Sequence, residues 1–181
     1  FTAAAQKFIP VRGDANVLDF EIADAPLTNA EYAEFIAATR HTPPLHWENG
    51  QPPRGFENHP VIYVNRYDVE KYLAWRTARD GRIHRLPTPA EFEYAARAGR
   101  PGVFYPWGND APSSQANFDP RGDRPFAAWR EHLKPVRSYP PNPWGLYDMA
   151  GNVWQMVHTD HDPATQRYIF RLHHPYEKES T

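Results

Sequence analysis

Prolines punctuate this chain so often that few long regular elements can form. There are 20 Pro in 181 residues, joined by 10 Gly. Each Pro removes a backbone donor and fixes φ, which stops helices and central strands. The pattern predicts a loop-rich fold with long irregular connections rather than a helical bundle. Such a fold fills its interior with large rings, and 14% of the residues are aromatic. Aromatic residues also furnish binding surfaces, so both uses are open.

Short elements stand out between the breaks. In "NVLDFEI" (16–22), Leu18, Phe20 and Ile22 alternate with Asp19 and Glu21, which predicts a half-buried strand. Thr28 and Glu31 form a capping box that opens a helix with Tyr32, Phe35 and Ile36 inward. The stretch from His41 to His59 reads as a long loop. A second helix is expected over about 66–80, capped by Asn65 and stopped at Gly81, with Val69, Tyr72, Leu73 and Arg76 on one face. A third begins at Thr88, with Pro89 in the first turn and Glu91 closing the box. Its inward residues are Phe92, Ala95 and Ala96, and Gly99 follows its end. Turn signals dominate from Arg100 to Gly145. The order of elements predicts an α+β fold and a single domain over 1–181.

Several function classes are disfavoured by composition. The net charge of −2 gives no basic excess for nucleic acid. No apolar run approaches the ~18 residues of a membrane span. The 181 residues hold no cysteine, which removes disulfides, thiolate metal sites and cysteine nucleophiles together. No serine sits in a nucleophile elbow, and no glycine loop is built for phosphate. The first residue is Phe1 rather than Met, and "FTAAAQKF" is too polar for a signal-peptide core, so a processed chain is expected.

Six segments occur in a telling order: "APLTNAEYAEFIAAT", "HPVIYVNRYDVEKYLAWR", "RLPTPAEFEYAARAG", "YPWGND", "ANFD" and "GLYDMAGNVWQM". Together, over about residues 20–157, they resemble the formylglycine-generating enzyme (sulfatase-modifying factor) domain. The resemblance implies a much-elaborated C-type-lectin fold, with two to three short helices around a small twisted sheet. It implies no single activity, because such domains serve as copper- and cysteine-dependent oxidases, iron-dependent sulfoxide synthases, siderophore-maturation proteins and ligand-display scaffolds. One periplasmic member activates a threonine-phosphorylation pathway that controls type VI secretion.

The resemblance also implies calcium. One family site falls on the equivalent of "GNxWE", here Asn152, Val153 and Gln155, where Gln stands in place of the charged Glu that calcium favours. A second uses an "AN" pair, here Ala116-Asn117, with Asp119 or Asp123 as the downstream carboxylate. Copper is not expected, since the family's copper(I) site needs two cysteines. Members usually continue past this motif with an "RGGSW"-type strand that is not found here. A shortened or incomplete C-terminal part is therefore expected, with "YIFRL" (168–172) as its last strand.

Two further constellations remain. "HTDHD" places His158, Asp160 and His161 close together, either as divalent-metal ligands or as a solvated loop. The loop at 46–60 offers Trp47, Arg54 and Phe56 as a binding surface or as loop packing. The leading expectation is a non-catalytic accessory or regulatory domain that binds a protein or peptide partner, periplasmic or otherwise exported, with a cytoplasmic alternative. The alternatives are a cysteine-independent oxidase or metal-dependent enzyme, as in siderophore maturation, and calcium-dependent lectin-like ligand binding. In the tight corner of "GLYDMAGNVWQM", Gly145 and Gly151 permit the turns and Tyr147 and Trp154 are expected to anchor them by burial.

Overall fold

The computed structural model describes residues 5–110, 114–118 and 128–158. Two four-residue strands, β1 (Phe8–Val11) and β2 (Phe20–Ala23), pair antiparallel with Ile9 opposite Ile22. Three helices follow: α1 (Asn29–Thr39), α2 (Arg66–Asp80) and α3 (Pro89–Ala96), then a single turn, α4 (Trp129–His132). The architecture is α+β, with little regular structure and a two-stranded sheet. Among the described residues no helix is long and apolar enough to cross a membrane.

The helix starts obey the capping logic of the sequence. Thr28, Asn65 and Thr88 each accept from the backbone N–H three residues on, and Glu31, Asp68 and Glu91 reach back to the cap. Each box satisfies two of the donors that a helix start leaves orphaned. Glu91 is further clamped by both Arg85 guanidinium nitrogens at 2.7 and 2.6 Å, and this bond holds its carboxyl down at about 2. The C-terminal ends of α1 and α2 are capped by left-handed residues, Arg40 and Gly81. α3 ends on Arg97 instead, and Ala98 and Gly99 then turn left-handed.

The strand expected over 16–22 is β2, and it starts later than the alternation predicts. Pairing begins at Phe20, and Leu18 is 85% exposed. The turn at 13–17 consumes the preceding residues, with Asp14 Oδ1 accepting from Asn16 and Val17 N–H. Val17 is buried in Leu18's stead. Alternation alone extended the strand into this Asx turn.

Two hydrophobic clusters hold the elements. In the first, Tyr32 and Phe35 of α1 meet Tyr72 of α2 and Trp47 of the long loop. The rings meet at tilted or edge angles, with Phe35 and Tyr72 centroids 5.7 Å apart at 88°. The same loop then covers the start of α1, where the His59 and Glu57 carbonyls accept from Asn29 and Ala30 N–H. In the second cluster Ala95 of α3 meets Leu146 and Met149, with Ile9, Phe20 and Ile22 of the hairpin against them.

Asn142 joins α3 to this second cluster. Its side-chain nitrogen donates to the Ala95 and Ala96 carbonyls at 2.7 and 3.1 Å. Its side-chain oxygen accepts from Trp144 and Leu146 N–H. One buried amide thus satisfies the last carbonyls of a helix and the first donors of the following turn.

The hairpin is tied to the C-terminal loops by charge. Arg137 donates from Nε and an Nη to the two carboxylate oxygens of Asp24 at 3.0 and 2.8 Å. The Arg137 backbone N–H donates to Asp148 Oδ2 at 2.7 Å. Asp24 is 4% exposed. Removing its partner strands a buried charge, so Arg137→Met is expected to cost about 3 kcal/mol. A urea melt with an unchanged m-value and a lower midpoint is the check; an unshifted midpoint refutes it.

Candidate functional site

The corner at 145–156 is built from backbone conformations that most residues avoid. Gly145, Asp148, Gly151 and Asn152 all have φ between 52° and 80°. Gly151 has a second constraint, because a Cβ there would lie 2.8 Å from the Asn117 carbonyl oxygen. Leu146 and Met149 are buried and anchor the turn in the core. Trp154, expected to be the anchor, is instead 86% exposed. The left-handed residues 151 and 152 turn the chain so that the ring projects outward while Gln155 turns inward.

The structure brings Asn117 and Asn152 together. Asn117 Nδ2 donates to the His132 carbonyl at 2.7 Å and to Asn152 Oδ1 at 3.0 Å. Asn152 Oδ1 also accepts from Lys134 N–H at 3.0 Å, and its Nδ2 donates to the Lys134 carbonyl at 3.0 Å. The Asn152 N–H completes the set on the Asn117 carbonyl at 2.9 Å. Three segments of chain are thereby clasped by two amides. Gln155 Nε2 donates to the Asp148 carbonyl at 2.7 Å and closes the corner on itself.

These residues fit calcium poorly at the "GNVWQ" corner. Calcium takes six to eight oxygens, preferably with carboxylate charge. Here Asn152 Oδ1 already accepts two N–H bonds, and position 155 turns an N–H toward the Asp148 carbonyl. Asp148 supplies the nearby carboxylate; burial raises its pKa, and Oδ2 accepts the Arg137 N–H. For the second expected site, Asn117 is placed as above, while Asp119 and Asp123 lie outside the described residues. Among the described residues no three His, Asp or Glu side chains come together as metal ligands.

The other expected residues are dispersed. His158 is exposed, and its N–H donates to the Pro87 carbonyl at 2.7 Å. Asp160 and His161 lie outside the described residues, as does "YIFRL". Trp47 must be removed from the expected binding surface. It is 7% exposed because its ring fills the core between α1 and α2, 6.1 Å from Tyr32. Phe56 is half-buried between His59 and Trp129, at 4.4 and 5.2 Å, and Arg54 is exposed.

Sequence reading missed Asp148, bonded to Arg137 11 positions away, and Asp24, Arg137 and Asn142, whose side chains reach partners 47 to 113 positions along the chain. It also missed a narrow cleft beside the corner, lined by Trp107, Gln115, Tyr139, Pro140, Asp148 and Met149. Of Asp24, Arg137, Asp148 and Asn142, only Asp148 lay inside a motif that drew notice.

The loop around Phe56 carries two half-buried histidines. Both ring nitrogens of His46 and Nδ1 of His59 are buried without a hydrogen-bond partner. His46 packs on Trp129 at 4.8 Å and on Tyr63 at 4.9 Å. Burial lowers both pKa values from 6.5, assisted by Arg130 at His46 and by Lys134 at His59, where Glu57 opposes. Protons therefore bind the unfolded chain more readily. The stability that depends on neutral rings is complete above 6.5 and is lost as the pH falls below it. Melting temperature should fall between pH 7 and pH 5 and fall less in His46→Phe/His59→Phe. Parallel pH curves for the two proteins would refute the assignment.

The family model for the sulfatase-modifying factor enzyme 1-like domain matches residues 3–178. The mouse protein named inactive C-alpha-formylglycine-generating enzyme 2 is 42% identical over 112 residues, covering 59% of this chain and 34% of its own. The serine/threonine-protein kinase pkn1 of Chlamydia pneumoniae is 43% identical over 101 residues, covering 56% of this chain and 14% of its own. The chain thus spans about a third or less of these relatives' length. Among solved structures, PvdO from Pseudomonas aeruginosa superposes with a TM-score of 0.58 at 24% identity, covering 87% of this chain and 68% of that one.

Proposed function

Since the chain belongs to the sulfatase-modifying factor enzyme 1-like family, we propose that it is a non-catalytic accessory or regulatory member that binds a protein or peptide partner. The observation that carries this reading is Trp154. Its indole is 86% exposed on a corner whose neighbours Leu146, Asp148 and Met149 are all buried. A rigidly mounted, exposed Trp is the residue type that most often dominates a protein interface. The hydrogen bonds of Asn152 and Gln155 on either side of it fix the backbone before any partner arrives. Such preorganisation lowers the entropy cost of binding.

The chemistry of these 181 residues supports the same reading. They contain no cysteine, so they supply no dithiolate for copper(I) and no thiolate nucleophile. A mouse relative of similar sequence is named an inactive enzyme, and the Chlamydia relatives are named serine/threonine kinases. The partner we favour is therefore a serine/threonine kinase or its regulator. The setting is a signalling pathway of the bacterial envelope, including those linked to type VI secretion.

The test is calorimetric titration of this protein against a serine/threonine kinase domain encoded in the same genome. A saturable complex is expected, with Trp154→Ala weakening it by about 30-fold or more. A cysteine-containing sulfatase peptide incubated with the protein and copper should remain unoxidised. Equal binding by wild type and Trp154→Ala refutes the site, and aldehyde formation on the peptide refutes the non-catalytic assignment.

A further inference from the structure

The corner that the family resemblance associates with calcium is closed in this chain by an amide. Gln155 Nε2 donates to the Asp148 carbonyl at 2.7 Å, joining two residues seven positions apart across the left-handed turn at 151–152. Asn152, the other expected ligand, has its side-chain oxygen occupied by N–H groups of Asn117 and Lys134. A carboxylate at position 155 would face the same carbonyl with a second acceptor. Two oxygens repel at this distance and are drawn together only by a shared proton or a cation, and calcium accepts both carboxylate and carbonyl oxygens. An amide N–H needs no intermediary.

We propose that the Gln155 amide takes the place of a bound divalent cation at this corner, and that Gln155→Glu alone makes its closure calcium-dependent. The wild-type corner is then complete without metal. The exposed Trp154, one residue away, is held in the same position whether calcium is present or absent.

The experiment compares wild type, Gln155→Glu and Gln155→Ala by thermal melting in EDTA and in millimolar calcium, with bound calcium counted after equilibrium dialysis. Gln155→Glu should melt several degrees below wild type in EDTA, recover most of that loss with calcium, and bind one more calcium equivalent than wild type. Gln155→Ala should melt below wild type by the same amount in both buffers and bind no extra calcium. Counting the difference between proteins removes any contribution from a calcium site elsewhere in the chain. The proposal is overturned if Gln155→Glu melts with wild type in EDTA, if calcium fails to rescue it, or if Gln155→Ala binds one equivalent less than wild type.

Discussion

The contact between Asp24 and Arg137 decides where the two ends of the described chain meet. Asp24 closes the hairpin side: its Oδ1 takes the Lys7 N–H and its carbonyl takes the Tyr147 N–H. Arg137 fixes the loop side by its backbone bond to Asp148. A buried carboxylate is tolerated only when its charge and lone pairs are met. Both Asp24 oxygens are met by the Arg137 fork, in the bidentate arrangement that guanidinium suits best. Together with the Tyr147 N–H bond to the Asp24 carbonyl, it ties the hairpin to the corner that displays Trp154.

Around that contact the irregular chain is held by neutral amides. A sheet or helix satisfies its own backbone groups, whereas loops must borrow partners. Here Asn142 and Asn152 lend both donors and acceptors to carbonyls and N–H groups of other segments, and Asn29, Asn117 and Gln155 donate from their side-chain nitrogens to further carbonyls. Each amide offers both bonding senses at no charge, so it can be buried at lower desolvation cost than a carboxylate or ammonium. This use of Asn and Gln compensates for the shortness of the sheet, and it places the "GLYDMAGNVWQM" turn with several independent bonds rather than one.

The sequence made the helices legible because their signals are local. A cap such as Thr88, a Pro at the next position and Glu91 at the third turn residue act within one turn, and the structure has the helix where they put it. The family and the α+β fold were legible for a related reason, since motif order survives without knowledge of contacts. The candidate site was legible only in part. Asn117 and Asn152 were picked as members of separate calcium sites, yet they bond each other, because nothing in the sequence signals contact across 35 positions. Trp154 was expected to be buried and is exposed, and Trp47, left open between surface and packing, is buried, since composition tells that an indole must be covered or used but not which. Leu18 failed for a smaller reason: the Asx turn at Asp14 competes with strand pairing, and periodicity does not register that competition.

The span of the Asp24–Arg137 contact bears on how the molecule is made. The two residues are 113 positions apart, and Arg76–Gln6 and Tyr94–Arg12 are 70 and 82 apart. Closing such loops costs entropy before any contact repays it, which slows folding. On the ribosome, helices α1 and α2 can gather around Tyr32 and Phe35 early, whereas the hairpin has no countercharge from Arg137 for Asp24 until that residue has emerged from the exit tunnel. During that interval a carboxylate destined for burial stays in water, and the apolar hairpin face of Ile9, Phe20 and Ile22 waits for Leu146 and Met149. The hairpin face is thus made well before the residues that cover it, and exposed apolar surface of this kind is where misassembly starts.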